Sequence, residues 1–224
     1  MPVFLLTDEP VFPPADIAES DGLLAIGGDL SVQRLMTAYT HGIFPWFIED
    51  GKVFWFSPDP RTVIFPEKFN PSKSLKRIWK SKKFEIRFDT AFRQVIENCS
   101  EVPRPGQEGT WISDEFIEAY TNLHRLGYAH SVETYYQGSL VGGLYGVSQG
   151  AAFFGESMFH LMPDASKIAL LQLVERLKSL HFTMIDAQVE TPLMLSLGAE
   201  LISRKRYLDL LSNALKSPII RAFP

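Results

Sequence analysis

Three apolar runs, His130 to Tyr136, Leu140 to Val147 and Ala151 to Phe159, are separated only by the short turns Gln137-Gly138 and Gln149-Gly150. Turns that short join neighbouring strands of opposite direction, so the stretch reads as an antiparallel meander. The third run carries a carboxylate, Glu156, in its middle. Among aromatic and thioether neighbours that group loses hydration, and a protein tolerates this only where the charge has a partner or a task. Taken alone, Glu156 fits a structural ion pair as well as a functional site. A second acid, Asp186, follows the apolar pair Met184-Ile185, with Gln188 two positions on. On a regular strand Asp186 and Gln188 point to one face, so two strands would offer polar groups to one apolar cavity.

The elements around the meander set the fold class. Phe84, Ile86 and Phe88 alternate with polar residues as a half-buried strand, and Thr90 starts a helix carrying Val95 and Ile96. A loop with Pro103, Pro105 and Gly106 leads to Trp111. Ser113 then caps a helix with Phe116, Ile117, Tyr120 and Leu123 on its apolar face and Gly127 past its end. After the meander come a buried helix from Ser166, a strand from Met184 to Val189, a short strand at Leu201-Ile202 and a last helix from about Arg204 to Leu215. The first sixty residues differ, being short-patterned and Pro- and Gly-punctuated, with Ser31 capping a helix through Leu35, Met36, Ala38 and Tyr39 that Gly42 ends. The expected architecture is α+β, with a small N-terminal domain over 1–61 and a larger domain over 62–224. The element order of the larger part is similar to the acyltransferase fold of the GNAT class of N-acetyltransferases, with a mixed, largely antiparallel sheet. A coenzyme A enzyme of that class needs a Gly-rich turn at a helix start. Between Met158 and the helix the chain has instead Phe159-His160-Leu161-Met162-Pro163-Asp164-Ala165-Ser166, without glycine.

Composition removes other classes. With 224 residues, 46% hydrophobic and 21% charged, the chain is an ordinary globular protein. It has no run of eighteen apolar residues and a start that lacks a basic segment, so no membrane partner is expected, and a soluble cytoplasmic protein is. One cysteine, Cys99, excludes an internal disulfide, and five scattered histidines lack HxxxH spacing, so neither a metal nor a cofactor is expected. A net charge of −4 argues against a surface that coats nucleic acid throughout.

Local motifs narrow the field further. Gly155-Glu156-Ser157 lacks the second glycine of a nucleophile elbow, and Ser157 reads as a strand residue facing away from Glu156. Gly27-Gly28-Asp29 reads as a tight turn, since no Gly-Lys-Ser/Thr follows. From Pro71 to Lys83, Lys73, Lys76, Arg77 and Lys80 lie on one helical face opposite Leu75, Ile78 and Trp79, and Lys82 and Lys83 extend the charge. Charge alone fits a solvated face and a phosphate-backbone partner equally. Trp46, Trp55 and Trp111 stand in loop or edge contexts, where stacking on a nucleobase competes with interdomain packing, the latter favoured for Trp55.

These residues together resemble the leucyl/phenylalanyl-tRNA–protein transferases. The resemblance rests on Gly22-Leu23-Leu24-Ala25-Ile26-Gly27-Gly28-Asp29-Leu30, Gly42-Ile43-Phe44-Pro45-Trp46-Phe47, Trp55-Phe56-Ser57-Pro58-Asp59-Pro60-Arg61, Gly109-Thr110-Trp111-Ile112, Val141 to Val147, Phe154-Gly155-Glu156-Ser157-Met158-Phe159, Asp186-Ala187-Gln188 and Ser196-Leu197-Gly198-Ala199. It implies transfer of Leu or Phe, and less readily Met, from aminoacyl-tRNA to an N-terminal Arg or Lys of a protein or peptide, marking it for degradation by the N-end rule. It further implies a terminal adenosine near Trp46 and Trp111, and an aminoacyl pocket lined by Leu144, Phe153, Gly155, Met158, Leu173, Leu177 and Ile185. The tRNA backbone would lie on Lys73, Lys76, Arg77, Lys80 and Lys83, and Asp186, Gln188 and Glu156 would serve the chemistry. Gln188 is assigned to orientation and Asp186 to electrostatic support or proton relay, a relay through the tRNA's own 2′-hydroxyl being equally compatible, and Glu156 and Asp186 would both draw in the cationic acceptor. The expected state is a monomer. The competing reading is a coenzyme A-dependent N-acyltransferase.

Overall fold

The computed structural model describes residues 3–101 and 112–218. The first elements are β1 (Phe4–Leu6), β2 (Leu23–Gly27), α1 (Val32–Thr40), β3 (Phe44–Glu49) and β4 (Lys52–Phe56). The strands form a sheet in the order β1-β2-β4-β3, with β3 and β4 joined as a hairpin through Asp50-Gly51. Ser31 caps α1 as expected, its hydroxyl accepting from Arg34 N at 3.3 Å. Gly42 ends the helix at φ +72°. A Cβ there would stand 2.8 Å from the Tyr207 ring, so glycine suits both the left-handed backbone and the close approach of the last helix.

The remaining elements are β5 (Arg61–Ile64), α2 (Lys73–Lys80), β6 (Glu85–Phe88), α3 (Phe92–Glu101), α4 (Asp114–Arg125), β7 (Ala129–Tyr136), β8 (Ser139–Gln149), β9 (Ala152–His160), α5 (Ala165–Ser179), β10 (Met184–Gln188), α6 (Pro192–Ser196), β11 (Glu200–Ile202) and α7 (Arg204–Ala214). They build a seven-stranded sheet in the order β11-β5-β10-β9-β8-β7-β6. Strands β6 to β9 pair antiparallel, which is the expected meander extended by one strand, and β10 returns parallel to β9. This is the mixed, largely antiparallel arrangement that the element order implied, with a small N-terminal sheet beside it.

Two layers of apolar side chains cover the sheet. Phe153, Ile185 and Ile64 pack toward α5 and α2. Phe154, Met184 and Val63 pack toward α3, α4 and the N-terminal elements. Burial of this kind contributes about 25 cal/mol per Å² of apolar surface and fixes the strand register, because a slip of one residue would exchange the two faces. Trp55 is fully buried among the N-terminal residues, with Nε1 donating to Gly27 O at 2.8 Å, so packing accounts for it.

Candidate active site

The site arises where the regular ladder fails. Strands β9 and β10 are paired from Met184↔Ala152 to Asp186↔Phe154 and no further. Beyond that point each carries an irregularity. On β9, Gly146 faces Gly155 while Tyr145 faces Ser157, leaving Glu156 as the extra residue of a bulge. On β10, Asp186 faces Val63 and Gln188 faces Thr62, leaving Ala187 extra. Gln188 itself has φ +62°, an uncommon conformation for a residue with a side chain. Gly146 permits the first bulge, since a Cβ there would sit 2.2 Å from Phe154 O.

A cavity of about 640 Å³ opens beside the diverging strands. Leu144, Phe153, Met158, Leu170, Leu173 and Ile185 form its apolar wall, and Gly155 keeps that wall open. Phe44, Pro45 and Trp46 of β3 contribute another side, and Leu193 and Met194 of α6 a third. Glu156, Ser157 and Gln188 supply polar groups to this space. Of the residues expected in the pocket, Leu177 is absent from the lining; it is fully buried in the layer behind. Ser157 borders the cavity together with Glu156, because the bulge removes the alternation that would have turned it away. Trp111 and the loop from Pro103 to Gly106 lie outside the described residues.

The two carboxylates differ in kind. Glu156 is almost fully buried, yet its partners are neutral: Tyr39 Oη donates to Oε1 at 2.9 Å, Tyr120 Oη to Oε2 at 3.0 Å, and Gln188 Nε2 to Oε1 at 3.0 Å. Burial pushes its carboxyl up to about 7, against the lowering effect of those donors and with a further rise from Asp186. Among the described residues, the ion pair that sequence alone allowed for Glu156 is not formed. Asp186 makes that pair instead. Arg61 Nε and Nη2 grip its two oxygens at 2.8 and 2.6 Å, and Tyr207 Oη donates to Oδ2 at 2.7 Å. Asp186 has no exposure and does not line the cavity. Its Oδ1 accepts from Gln188 N at 2.9 Å, which holds the left-handed backbone of Gln188. The expected common face of Asp186 and Gln188 is thus broken by the bulge: one side chain turns to Arg61, the other to Glu156.

Arg61 also donates to Gly42 O at 3.2 Å and lies over the rings of Phe44 and Tyr207 at 4.8 and 4.5 Å. Burial opposes its charge, but Asp186 outweighs that effect and keeps the guanidinium firmly protonated. Tyr207, Tyr39 and Tyr120 fall in no sequence motif, and Arg61 enters only as the last residue of a stretch that carries the resemblance, with no role attached. The usable signal was Tyr39 and Tyr120 on the apolar faces of their helices, where a buried phenol needs a hydrogen-bond partner.

The basic segment forms α2, capped by Ser72, with Leu75 buried and Lys73, Lys76, Arg77 and Lys80 exposed or half-exposed. Among the described residues none of these four has an ion-pair partner within 4.0 Å, whereas Lys83 lies over the rings of Phe84 and Tyr136 at 5.0 and 5.5 Å. Among the described residues, no group of three or more His, Cys, Asp or Glu side chains could hold a metal, and no helix is long and apolar enough to cross a membrane.

Residues 63–212 match the family described as leucyl/phenylalanyl-tRNA protein transferase, and residues 28–59 match the N-terminal domain of that family. The chain is similar to the leucyl/phenylalanyl-tRNA–protein transferase of Myxococcus xanthus, 52% identical over 99% of this chain and 95% of that protein. It is similar to that of Syntrophobacter fumaroxidans, 53% identical over 95% of this chain and 91% of the other. Among solved structures, it aligns with a GCN5-related N-acetyltransferase from Kribbella flavida at a TM-score of 0.39 and 9% identity, covering 75% of this chain and 60% of that one. A likeness of that degree carries no information about chemistry.

Proposed function

The chain belongs to the leucyl/phenylalanyl-tRNA–protein transferase family and is an aminoacyltransferase, and from that premise we propose that it moves Leu or Phe, and less readily Met, from aminoacyl-tRNA to an N-terminal Arg or Lys. The product would be marked for N-end-rule degradation in the cytoplasm. The observation that carries this reading is one cavity, apolar along Leu144, Phe153, Met158 and Leu173, with Glu156 and Gln188 in it. An aminoacyl side chain would occupy the apolar part. Unbranched or γ-branched side chains suit linings of Leu, Met and Phe, while a branch at Cβ crowds the reacting carbonyl. The tRNA's terminal adenosine would stack near Trp46, and its backbone would follow Lys73, Lys76, Arg77 and Lys80, with Lys83 at the end of the patch.

The reaction is aminolysis of an ester. The acceptor's α-ammonium group loses one proton, and its nitrogen attacks the aminoacyl carbonyl carbon. As the tetrahedral adduct collapses, the C–N bond remains, the bond to the tRNA 3′ oxygen breaks, and that oxygen takes the second proton of the nitrogen. Gln188 is assigned to orientation, since a carboxamide is too weakly basic to take a proton. Asp186, already paired with Arg61 through both oxygens, gives electrostatic and positional support rather than a proton relay. Glu156 faces the cationic acceptor. Much of the rate would come from holding ester and amine together.

The test is to mix the protein with tRNA charged with labelled Leu and a peptide starting with Arg, in parallel with acetyl-coenzyme A and the same peptide. Labelled peptide from the first mixture supports the transferase reading. Acetylation in the second without transfer in the first would establish the coenzyme A enzyme instead.

A further inference from the structure

Two phenols and the carboxyl group of Glu156 close a ring. Tyr39 Oη and Tyr120 Oη lie 2.5 Å apart, while Tyr39 reaches Oε1 at 2.9 Å and Tyr120 reaches Oε2 at 3.0 Å. All three edges are of hydrogen-bonding length, so the ring can be examined by counting protons. With Glu156 ionised there are two, one on each phenol. Both are drawn to the carboxylate, and the short edge between the phenols is then two oxygens without a hydrogen between them. With Glu156 protonated there are three, one for each edge. Oε2–H donates to Tyr120, Tyr120 donates to Tyr39, and Tyr39 donates to Oε1, which also accepts from Gln188 Nε2. The arrangement therefore satisfies every edge only when it holds one extra proton.

We propose that Glu156, Tyr39 and Tyr120 form a three-membered hydrogen-bond ring that takes up the proton released by the acceptor's α-ammonium group. The substrate named here rests on the transferase reading; the ring itself rests on geometry alone. Each partner comes from a different part of the fold, Tyr39 from α1, Tyr120 from α4 and Glu156 from the β9 bulge, and Glu156 and Tyr145 face the cavity. The other groups around the carboxyl are Gln188 and Asp186 of β10 and Tyr145 of β8, whose ring packs edge-on against Tyr120 at 5.6 Å. Arg61 of β5 is engaged by Asp186, and no cation contributes to the raised carboxyl of Glu156. Burial raises both phenols well above their usual range, so they remain protonated and act as donors and acceptors only. In the reaction an N–H bond of the ammonium group breaks, an O–H bond forms on Glu156, and that proton returns to solvent after the peptide leaves. Glu156 is the catalytic group; Tyr39 and Tyr120 are positioning residues.

Infrared titration of the free protein tests the ring without substrate. The carbonyl stretch of a protonated carboxylic acid should disappear with a midpoint near 7 and be missing in Glu156→Gln. That variant should fold normally, because a carboxamide supplies one donor and one acceptor in the places of the protonated acid. Tyr39→Phe and Tyr120→Phe each break the ring and should move the midpoint by about one unit. The acid limb of the transfer rate should move by the same amount while binding of Leu-tRNA stays unchanged. No such titration between about pH 5 and 9, or an unmoved midpoint in both tyrosine variants, would overturn the ring. A moved midpoint with an unmoved rate limb would overturn its role as proton acceptor. Absence of any transfer by the unaltered protein would count against the transferase reading and leave the infrared result to decide the ring.

Discussion

Arg61 grips Asp186 through two parallel hydrogen bonds of 2.8 and 2.6 Å, across 125 residues of sequence and with neither side chain exposed. The pair ties the start of β5 to the middle of β10, and it reaches the turn after α1 through Gly42 O and α7 through Tyr207. It reaches the site through the bond that Gln188 N donates to Asp186 Oδ1 and through the charge of Asp186, which raises the Glu156 carboxyl.

Removal of one partner from such a pair leaves an uncompensated buried charge, which costs about 3–5 kcal/mol. Arg61→Met should therefore destabilise the protein by that amount in urea unfolding. The double variant Arg61→Met/Asp186→Leu should recover a large part of it, because no charge is then left unpaired. A loss below about 1 kcal/mol in the single variant would show that Asp186 finds another partner.

Glu156 gives a pH signature of opposite sign to an ordinary ion-paired acid. Its carboxyl is raised to about 7 from 4.5, so the folded state holds the proton more tightly than the unfolded chain does. Stability associated with this group is complete below pH 4.5, declines as pH rises through the interval to 7, and is lost above it. The full shift corresponds to roughly 3 kcal/mol at most. Glu156→Gln does not titrate, so its stability relative to the unaltered protein should increase from pH 5 to about 8 in chemical denaturation. A difference independent of pH would contradict the raised carboxyl.

The cavity wall should set donor selectivity. Leu173→Phe reduces the space for the donor side chain and should lower transfer of Phe relative to Leu by about tenfold or more, since one or two methylenes in such a pocket are worth about 1–3 kcal/mol. Initial rates with Phe-tRNA and Leu-tRNA measure the ratio. An unchanged ratio would place the donor side chain elsewhere.

Charge reversal on α2 addresses the tRNA. Lys76→Glu/Arg77→Glu should weaken binding and reduce the slope of log K against log salt by about 0.7–0.9 for each phosphate that the helix no longer neutralises. An unaltered slope would show that these exposed side chains do not touch the backbone.

Much of the frame was legible because local rules decided it. The Ser31 cap, the meander with its two-residue turns and the buried α5 follow from short-range chemistry that tertiary packing did not override. Glu156 was conspicuous as a charge in an apolar strand. Its partners were not, because Tyr39 and Tyr120 look like ordinary apolar-face residues until α1 and α4 are brought to β9. The common face expected of Asp186 and Gln188 does not form, for a specific reason. Strand alternation places them on one face, and a single extra residue, Ala187, separates them, a feature no periodicity in five residues reveals. Arg61 lay in a recognisable Asp59-Pro60-Arg61 turn, but its pairing with Asp186 joins residues far apart in the chain and only the fold brings them together.

The most direct measurement is the single-turnover rate of amide formation from saturating Leu-tRNA to an Arg-starting peptide, compared between the unaltered protein and Glu156→Gln. The expected result is a loss of about a hundredfold or more with Leu-tRNA affinity and folding preserved, as removal of a proton acceptor requires. A rate within about threefold of the unaltered protein would contradict the assignment of Glu156 to the chemistry.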